Sequence, residues 1–455
     1  MKNLTVCASN LTTYMIKWQK GRARCGPKPL GQTRRDPQYG GYMAMEAFDL
    51  KRGMLLGAAN GGVRSDGGTP GHTWGDWCAR GMLRGADPAR AAAHWDRWRE
   101  DVTLMRRMGL ECCRFTVDWS RLEPEQDVFD DAAIAHVREE LLLMRAVGIR
   151  PVLVLHEFTD PLWFGKLGGW TKVDNIRCFL AYVEKLVRTV GHLVSDYVTI
   201  SQPNLFAKNG WYLGAWPPGK TSLYSARHVM SVLAAAHIEC YQRLHAVRRE
   251  LGFQDTRVGA SAYMRMIRPR SGKHPLYVTL GANTVDKQFQ TAMSEAMVLG
   301  KFSTTVRNLR HLKKGVYCDF HDLCCYALPG DLEGLPGAGR EISADELLYC
   351  AAKRCNLLRR PLFITEGSGL SAPSPQRIYD IVSTISRAAL PVECYFSMAF
   401  TDGFEWGQGE SAHLGLVALD PETGDRSIRP GGEFYARVIR NRGVTEEMCR
   451  QYTEA

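Results

Sequence analysis

Short apolar runs alternate with longer amphipathic segments along most of the chain. The segment HWDRWREDVTLMRRMG places Trp95, Trp98, Val102 and Met105 on one helical stripe, and the apolar run CCRFTVDW follows soon after Gly109. Apolar positions three or four residues apart are typical of a helix with one buried face, and glycine often ends such a helix. This stretch therefore predicts an amphipathic helix followed by a β-strand.

The same unit recurs along the chain. Further helices are predicted near residues 132–147, 174–193, 225–250, 286–300, 344–357 and 374–388. With GMLLGAA at residues 53–59 and CCRFTVDW, the eight candidate strands are completed by PVLVLH, YVTIS, RVGASAY, DFHDLCCY, PLFITE and VECYFSM. Alternating strands and helices indicate parallel βα units, and eight of them predict an α/β fold of the closed (β/α)8 type, a TIM barrel.

We expect a basic extension over residues 1–50, the barrel over 51–445 and a short tail over 446–455. Apolar residues make up 45% of the 455, which supports an extensive core. The formal net charge is +10, and residues 1–50 hold eight lysines and arginines against three acids. No RNP signature, zinc-finger spacing or basic helix with interleaved aromatic residues accompanies this excess, which argues against nucleic-acid binding. We interpret it as a solvated basic arm.

The fourteen cysteines show no CxxC pair and no Cys/His cluster with metal-ligand spacing. We therefore expect mostly reduced core thiols, no metal site and no cofactor. The N-terminus lacks a continuous apolar signal region, and no run reaches the length of a membrane span. These features favour a cytoplasmic protein without a membrane partner, and they leave a homo-oligomer possible.

Catalytic side chains of such a barrel lie at the C-terminal ends of its strands. The polar residues expected there are Asp66, Arg114, His156, Glu157, Gln202, Tyr326, Glu366 and Glu405. Any one of them alone is more simply explained as a satisfied ion-pair or hydrogen-bond partner. Their shared placement is what indicates a functional site.

Five blocks, in this order, resemble glycoside hydrolase family 1, the family of β-glucosidases, β-galactosidases and myrosinases, over roughly residues 53–440. They are HWDRWREDVTLMRRMGLECCRFTVDWSRLEPE, VLVLHEFTDPLWFGKLGGW, VTISQPNLFAKNGWYLGAWPPG, PLFITEGSG and TDGFEWGQG. The resemblance implies a small-molecule glycoside as substrate and a retaining mechanism, in which two carboxyl groups about 5 to 5.5 Å apart flank the scissile bond.

Within that resemblance, Glu366 matches the nucleophile, and Arg114 and Tyr326 match the groups that keep it ionised and oriented. Glu405 matches the carboxylate that binds sugar hydroxyls, and Trp406 matches its aromatic neighbour. We expect Glu366 to face residue 202 across the mouth of the barrel.

Several other positions depart from the family pattern. The replacements are Gln202 for the acid/base Glu, Ser201 for an Asn, Arg64 for a sugar-binding Gln, Glu157 for a sugar-binding His, Cys324 for an Asn, Gly367 for an Asn and Met398 for the Trp that floors the sugar pocket. Arg64 is expected within reach of Glu157 and Glu405, and we predict a direct contact with one of them. Arg64 either fills the position of the family's sugar pocket or binds a substrate of different polarity.

Gln202 has no proton to give up near neutral pH, so ordinary glycosides should be poor substrates. Myrosinases also carry Gln at this position, because their aglycone departs unprotonated. One hypothesis is thus a retaining glycosidase or transglycosidase that acts on O- or S-glycosides with good leaving groups through a covalent intermediate on Glu366. The alternatives are a non-catalytic binding protein of this family and a barrel used for other chemistry, with Cys324, Glu157 or Arg64 taking part.

Overall fold

Eight parallel strands close into a barrel in the computed structural model of the chain, which confirms the predicted (β/α)8 fold. The structure describes residues 44–68, 71–267, 286–328, 341–367, 369–420 and 422–453. The barrel strands, in order around the barrel, are β2 Leu55–Gly61, β3 Cys112–Thr116, β4 Arg150–Val154, β5 Asp196–Val198, β6 Arg257–Tyr263, β7 Phe320–Tyr326, β8 Leu362–Gly367 and β9 Val392–Ser397. Strand β9 pairs with β2 and closes the ring.

Helices follow the strands as the apolar periodicity predicts. The α-helices are α1 Val63–Asp66, α2 Thr73–Ala79, α3 His94–Met108, α4 Trp119–Leu122, α5 Asp131–Ala146, α6 Leu162–Lys166, α7 Ile176–Val190, α8 Pro203–Ala207, α9 Leu223–Glu250, α10 Ala292–Leu299, α11 Ala344–Leu357, α12 Pro375–Arg387, α13 Pro430–Asn441 and α14 Glu446–Thr453. Shorter 3₁₀ turns cover Pro88–Arg90, Gly169–Thr171, Val173–Asn175 and Gly191–Leu193, and π-helical turns cover Lys208–Leu213 and Asp286–Thr291.

Local sequence explains where these helices begin and end. Helix α3 ends at Gly109, whose φ of 82° is left-handed and suits a residue without a Cβ. Helix α12 begins with Pro375 behind Ser374, and the Ser374 hydroxyl accepts a hydrogen bond from the Arg377 N–H at 3.1 Å. This cap fixes Arg377 in the first turn of α12, beside the end of β8.

Two apolar layers hold the barrel together. Alternate residues of each strand point inward, and these inner side chains form one cluster of Cys112, Val152, Val154, Val198, Phe320, Phe363, Cys394 and Phe396. The other alternate residues face the helices and belong to a much larger cluster. In β8, Phe363 therefore points inward, whereas Leu362 and Ile364 point outward.

Residues 1–43 of the predicted extension lie outside the described residues. Within residues 44–50, the short strand β1, Phe48–Asp49, pairs with β12, Gly443–Val444, so this end of the predicted extension packs against the C-terminal part of the barrel domain. A second small sheet joins β10, Val417–Leu419, to β11, Arg426–Ile428. Helix α14 occupies the predicted tail and buries Met448.

The twelve cysteines in the described part of the chain are all free thiols, and most of them are buried. Among the helices of the described ranges, none combines the length and the apolar character needed to cross a membrane.

Candidate functional site

A very small cavity lies at the C-terminal mouth of the barrel, where a site was predicted. Its volume is about 20 Å³, which is room for one water molecule. Its walls are Ala59, Asn60, Gly61, Arg64, Arg114, Thr116, Glu157, Phe158, Gln202, Tyr326, Thr365, Met398 and Trp406. Most of the predicted site residues therefore do meet at one place, but they leave almost no open space between them.

Arg64 closes one side of this cavity through a buried ion pair. It lies on α1, directly after β2, and its Nη1 donates to Glu405 Oε1 at 2.8 Å. Both residues are buried, with exposures of 5% and 4%. Burial raises the pKa of the Glu405 carboxyl, and Arg64 opposes that rise. The predicted contact of Arg64 with one of the two pocket carboxylates is thus confirmed, and the partner is Glu405.

Arg114 is held by a different set of partners from those expected. Its guanidinium donates to Asp322 Oδ2 at 3.1 Å, to Glu157 Oε1 at 3.2 Å and to Ser201 Oγ at 2.8 Å. The expectation that Arg114 orients Glu366 is therefore wrong. Asp322 was missed by sequence reasoning, although alternation along β7 places it on the inner face together with Phe320, at a level that Arg114 can reach.

Glu157 is held as an anion. Ser201 Oγ donates to its Oε1 at 2.8 Å, and Thr116 Oγ1 donates to its Oε2 at 2.9 Å. Although burial works in the opposite direction, Arg114 and these two hydroxyls lower the pKa of Glu157 below its ordinary value. Each carboxylate oxygen has a donor, so the group is satisfied without a ligand.

Gln202 and Tyr326 bond to each other. The Tyr326 hydroxyl donates to Gln202 Oε1 at 2.6 Å, so it does not serve Glu366 as was predicted. Burial raises the pKa of the Tyr326 phenol well above its usual range. Gln202 has a left-handed backbone with φ 45°, and its N–H donates to Ser261 Oγ at 3.0 Å. An amide and a neutral phenol thus occupy the position where the acid/base carboxyl would act.

Glu366 does not line the cavity, which corrects the prediction that it faces Gln202. Its Oε1 accepts a hydrogen bond from Arg377 Nη2, and its Oε2 accepts one from the Tyr395 hydroxyl at 3.0 Å. Thr365, the preceding residue, points into the cavity instead. The physical reason is the two-residue period of β8. Thr365 shares the inner face with Phe363, whereas Glu366 shares the outer face with Ile364.

Of the remaining predicted residues, Met398 and Trp406 form part of the cavity wall, whereas Cys324 is buried without lining it. Met398 is 9% exposed and lines the cavity, and the Trp406 ring lies 5.1 Å from that of Trp74 and 5.4 Å from that of Phe158. Cys324 is fully buried, and burial raises the pKa of its thiol well above the usual range. A thiol held protonated in this way is a poor nucleophile.

A larger cavity, of about 500 Å³, lies at the opposite, N-terminal end of the barrel. Arg150 and Arg257 line it, and they donate to Asp196 between them at 2.8 and 2.7 Å. Both also pair with Glu393, so two cations meet two anions. This end of a barrel serves stability rather than chemistry, and we assign its charges a structural role. No group of three metal-ligating side chains occurs within the described residues.

Comparison with known proteins agrees with the resemblance. The sequence profile described as glycosyl hydrolase family 1 matches residues 58–323, more than half of the chain. The chain is 23% identical over 425 residues to 1,4-beta-D-glucan glucohydrolase of Thermotoga neapolitana, which covers 80% of this chain and 91% of that protein. It is 23% identical over 381 residues to the chloroplastic galactolipid galactosyltransferase SFR2 of Arabidopsis thaliana, which covers 78% of this chain and 58% of that protein. A solved structure of a beta-glycosidase from Pyrococcus horikoshii superposes with a TM-score of 0.78 and 25% identity, over 90% of this chain and 98% of that one.

Proposed function

We propose that this chain, which belongs to glycosyl hydrolase family 1, is a non-hydrolytic member that acts through binding rather than through cleavage of a glycosidic bond. The observation that carries the proposal is the volume at the barrel mouth. Sites for small ligands typically occupy roughly 300–1,000 Å³, whereas the cavity here measures about 20 Å³. Arg64, held by its ion pair with Glu405, forms part of the wall of this cavity.

The chemistry of the mouth supports the same proposal. A retaining mechanism needs a nucleophilic carboxylate and a proton donor on opposite sides of the scissile bond. Gln202 supplies no proton, and general acid help is typically worth about 10²- to 10⁴-fold in rate. Glu366 is bonded to Arg377 and Tyr395 and does not line the cavity. The proton donor and the nucleophile that a retaining reaction needs are therefore both missing from the cavity.

A second candidate is a retaining glycosidase or transglycosidase acting on small glycosides with good leaving groups. It is favoured by the retention of Arg114 and Tyr326 at the cavity wall, by Gln202, which myrosinases also carry, and by a relative that is named a galactosyltransferase. This activity would require Arg64 to leave the pocket and Glu366 to enter it. The two candidates differ in whether Glu366 ever reaches an anomeric carbon.

Covalent trapping separates them. The chain is incubated with dinitrophenyl 2-deoxy-2-fluoroglycosides of gluco, galacto and glucurono configuration, whose leaving groups need no proton. Intact-protein mass spectrometry, with peptide mapping of any adduct, reports the modified residue. We expect no adduct on Glu366, while a β-glucosidase of the same family, treated in parallel, is labelled. A stoichiometric adduct on Glu366 would replace the proposal by the second candidate.

A further inference from the structure

The Glu366 carboxylate is buried and bonded from outside the barrel. Its residue is 2% exposed, Tyr395 on β9 donates to one oxygen at 3.0 Å, and Arg377 on α12 donates to the other. Arg377 is itself anchored, because it also donates to the Ile342 carbonyl. We refer to Glu366, Arg377 and Tyr395 together as the Glu366 lock.

Strand pairing fixes the side on which Glu366 lies. Thr365 is level with Phe396, whose ring belongs to the inner cluster, whereas Glu366 is level with Ser397 and Cys325. Neighbouring residues at the same level of a parallel sheet point to the same side. Glu366 can reach the cavity after the end of β8 shifts by one residue or bulges, since either change moves a side chain to the other face.

Gly367 allows β8 to remain regular up to its last residue. It pairs with Tyr326 on β7, and a Cβ added at this position would lie 2.5 Å from the Met398 carbonyl oxygen. Any larger residue would push the end of the strand away from β9. Glycine at 367 is therefore compatible with the regular pairing that keeps Glu366 on the outer face.

We propose that Arg377 and Tyr395 are positioning residues that hold Glu366 outside the pocket, so that the state of the Glu366 lock decides whether the mouth contains a nucleophile. This inference rests on the proposed function, because it explains why a chain with the family's nucleophile motif does not use it. It adds a specific cause: the carboxylate is withheld by a helix residue eleven positions further along the chain.

Stability measurements test the contacts directly. Arg377→Met should leave the buried Glu366 carboxylate without its cation and lower the melting temperature by about 5 °C or more. Adding Glu366→Gln should not lower it further, because an amide needs no counter-charge. Arg387→Met is the matched control, since Arg387 lies on the same helix and its carboxylate partner, Glu46, is 3.7 Å away at the surface. Independent, additive losses for Arg377→Met and Glu366→Gln would overturn the lock.

Covalent labelling tests the positioning role, and it uses an Arg64→Gln background so that the mouth is open. In the labelling step, Glu366 forms a bond to the anomeric carbon of 2-deoxy-2-fluoroglucosyl fluoride as the carbon–fluorine bond breaks and fluoride leaves. With Arg377→Met in this background, the adduct on Glu366 should form at least about tenfold faster than with Arg387→Met. Equal rates, or no adduct on Glu366 in either folded protein, would overturn the lock.

A third measurement needs neither of the arginine variants. With 3-fluorotyrosine at position 395, Glu366→Gln should shift the ¹⁹F resonance, because the phenol then donates to an amide instead of a carboxylate. An unchanged resonance would contradict the hydrogen bond. An adduct on Glu366 of the unaltered chain would count against the proposed function, and the comparison of Arg377→Met with Arg387→Met would still decide the lock on its own.

Discussion

Replacing Arg64 by glutamine removes the cation that closes the barrel mouth. In the unaltered chain this arginine donates to Glu405 at 2.8 Å, and the two side chains are 6% and 5% exposed. The shorter, neutral side chain leaves Glu405 buried beside Glu157, which is held as an anion. We expect the variant to fold, to be less stable, and to have a larger cavity at the mouth.

The size of the loss follows from this burial. Because both partners are almost fully buried, solvent screening does little, and removing one partner of such a pair costs about 3–5 kcal/mol. Glu405 can limit the loss by binding a proton, since burial already raises its pKa and Arg64 no longer opposes that rise. The folded variant then binds more protons than the unfolded chain, so its stability falls as pH rises above the ordinary glutamate range. We expect about 3 kcal/mol at pH 8 and less at pH 5.

Thermal and urea unfolding at the two pH values test this reasoning. At pH 8 the melting temperature of Arg64→Gln should fall by roughly 5–10 °C. The double variant with Glu405→Gln should recover most of the loss, because no buried charge then remains unpaired. An unchanged melting temperature at pH 8 would refute the buried ion pair, and a larger loss at pH 5 than at pH 8 would refute the assigned sign.

Three further predictions concern other buried groups. Gln202→Glu should not produce hydrolysis of nitrophenyl glucosides in a chromogenic assay, because the pocket would gain an acid but no nucleophile. Burial raises the pKa of Asp66 to about 7, so between the ordinary aspartate range and pH 7 the folded state holds a proton that the unfolded chain has lost. The unaltered chain therefore loses stability as the pH rises through this range, and Asp66→Asn does not. The melting temperature of Asp66→Asn minus that of the unaltered chain should be more positive at pH 8 than at pH 5. Although burial works in the opposite direction, the carboxylates of Glu140 and Asp101 at 2.9 and 2.8 Å raise the pKa of His94 well above its usual value. The stabilisation from these two ion pairs is present at neutral pH and is lost as the pH rises through the raised pKa. The free energy of unfolding of His94→Gln, measured with urea at pH 7, should therefore be lower by about 3–5 kcal/mol.

The fold and part of the site could be predicted because they depend on local patterns. Helical stripes and apolar strands define eight βα units without any knowledge of their partners, and the C-terminal ends of those strands define the mouth. A contact of Arg64 with Glu157 or Glu405 was predictable for a different reason, because the family resemblance brings these three positions together around one sugar pocket. A cation introduced near two carboxylates has few other ways to be satisfied in a buried place.

The orientation of Glu366 could not be read from the sequence. Motif matching identifies the residue, but the face on which its side chain lies depends on how β8 pairs with β7 and β9, and one residue of difference exchanges Thr365 for Glu366. The contact with Arg377 is equally hidden, because it joins a strand end to the first turn of the next helix. Asp322 was more accessible, since its place two residues after Phe320 puts it on the inner face of β7.

Two arginine–carboxylate pairs use the same chemistry on the two faces of the barrel wall. Arg64 neutralises Glu405 inside the pocket, and Arg377 neutralises Glu366 outside it, so each arginine satisfies one carboxylate that a retaining enzyme would direct at its sugar. These contacts share no residue, and effects at separate sites are usually additive. Breaking one of them therefore leaves the other barrier in place. Substitutions at 64, 202 and 377 would have to coincide before the barrel offered an open pocket, an acid and a nucleophile together, and this is why we expect each single variant to remain without hydrolytic activity.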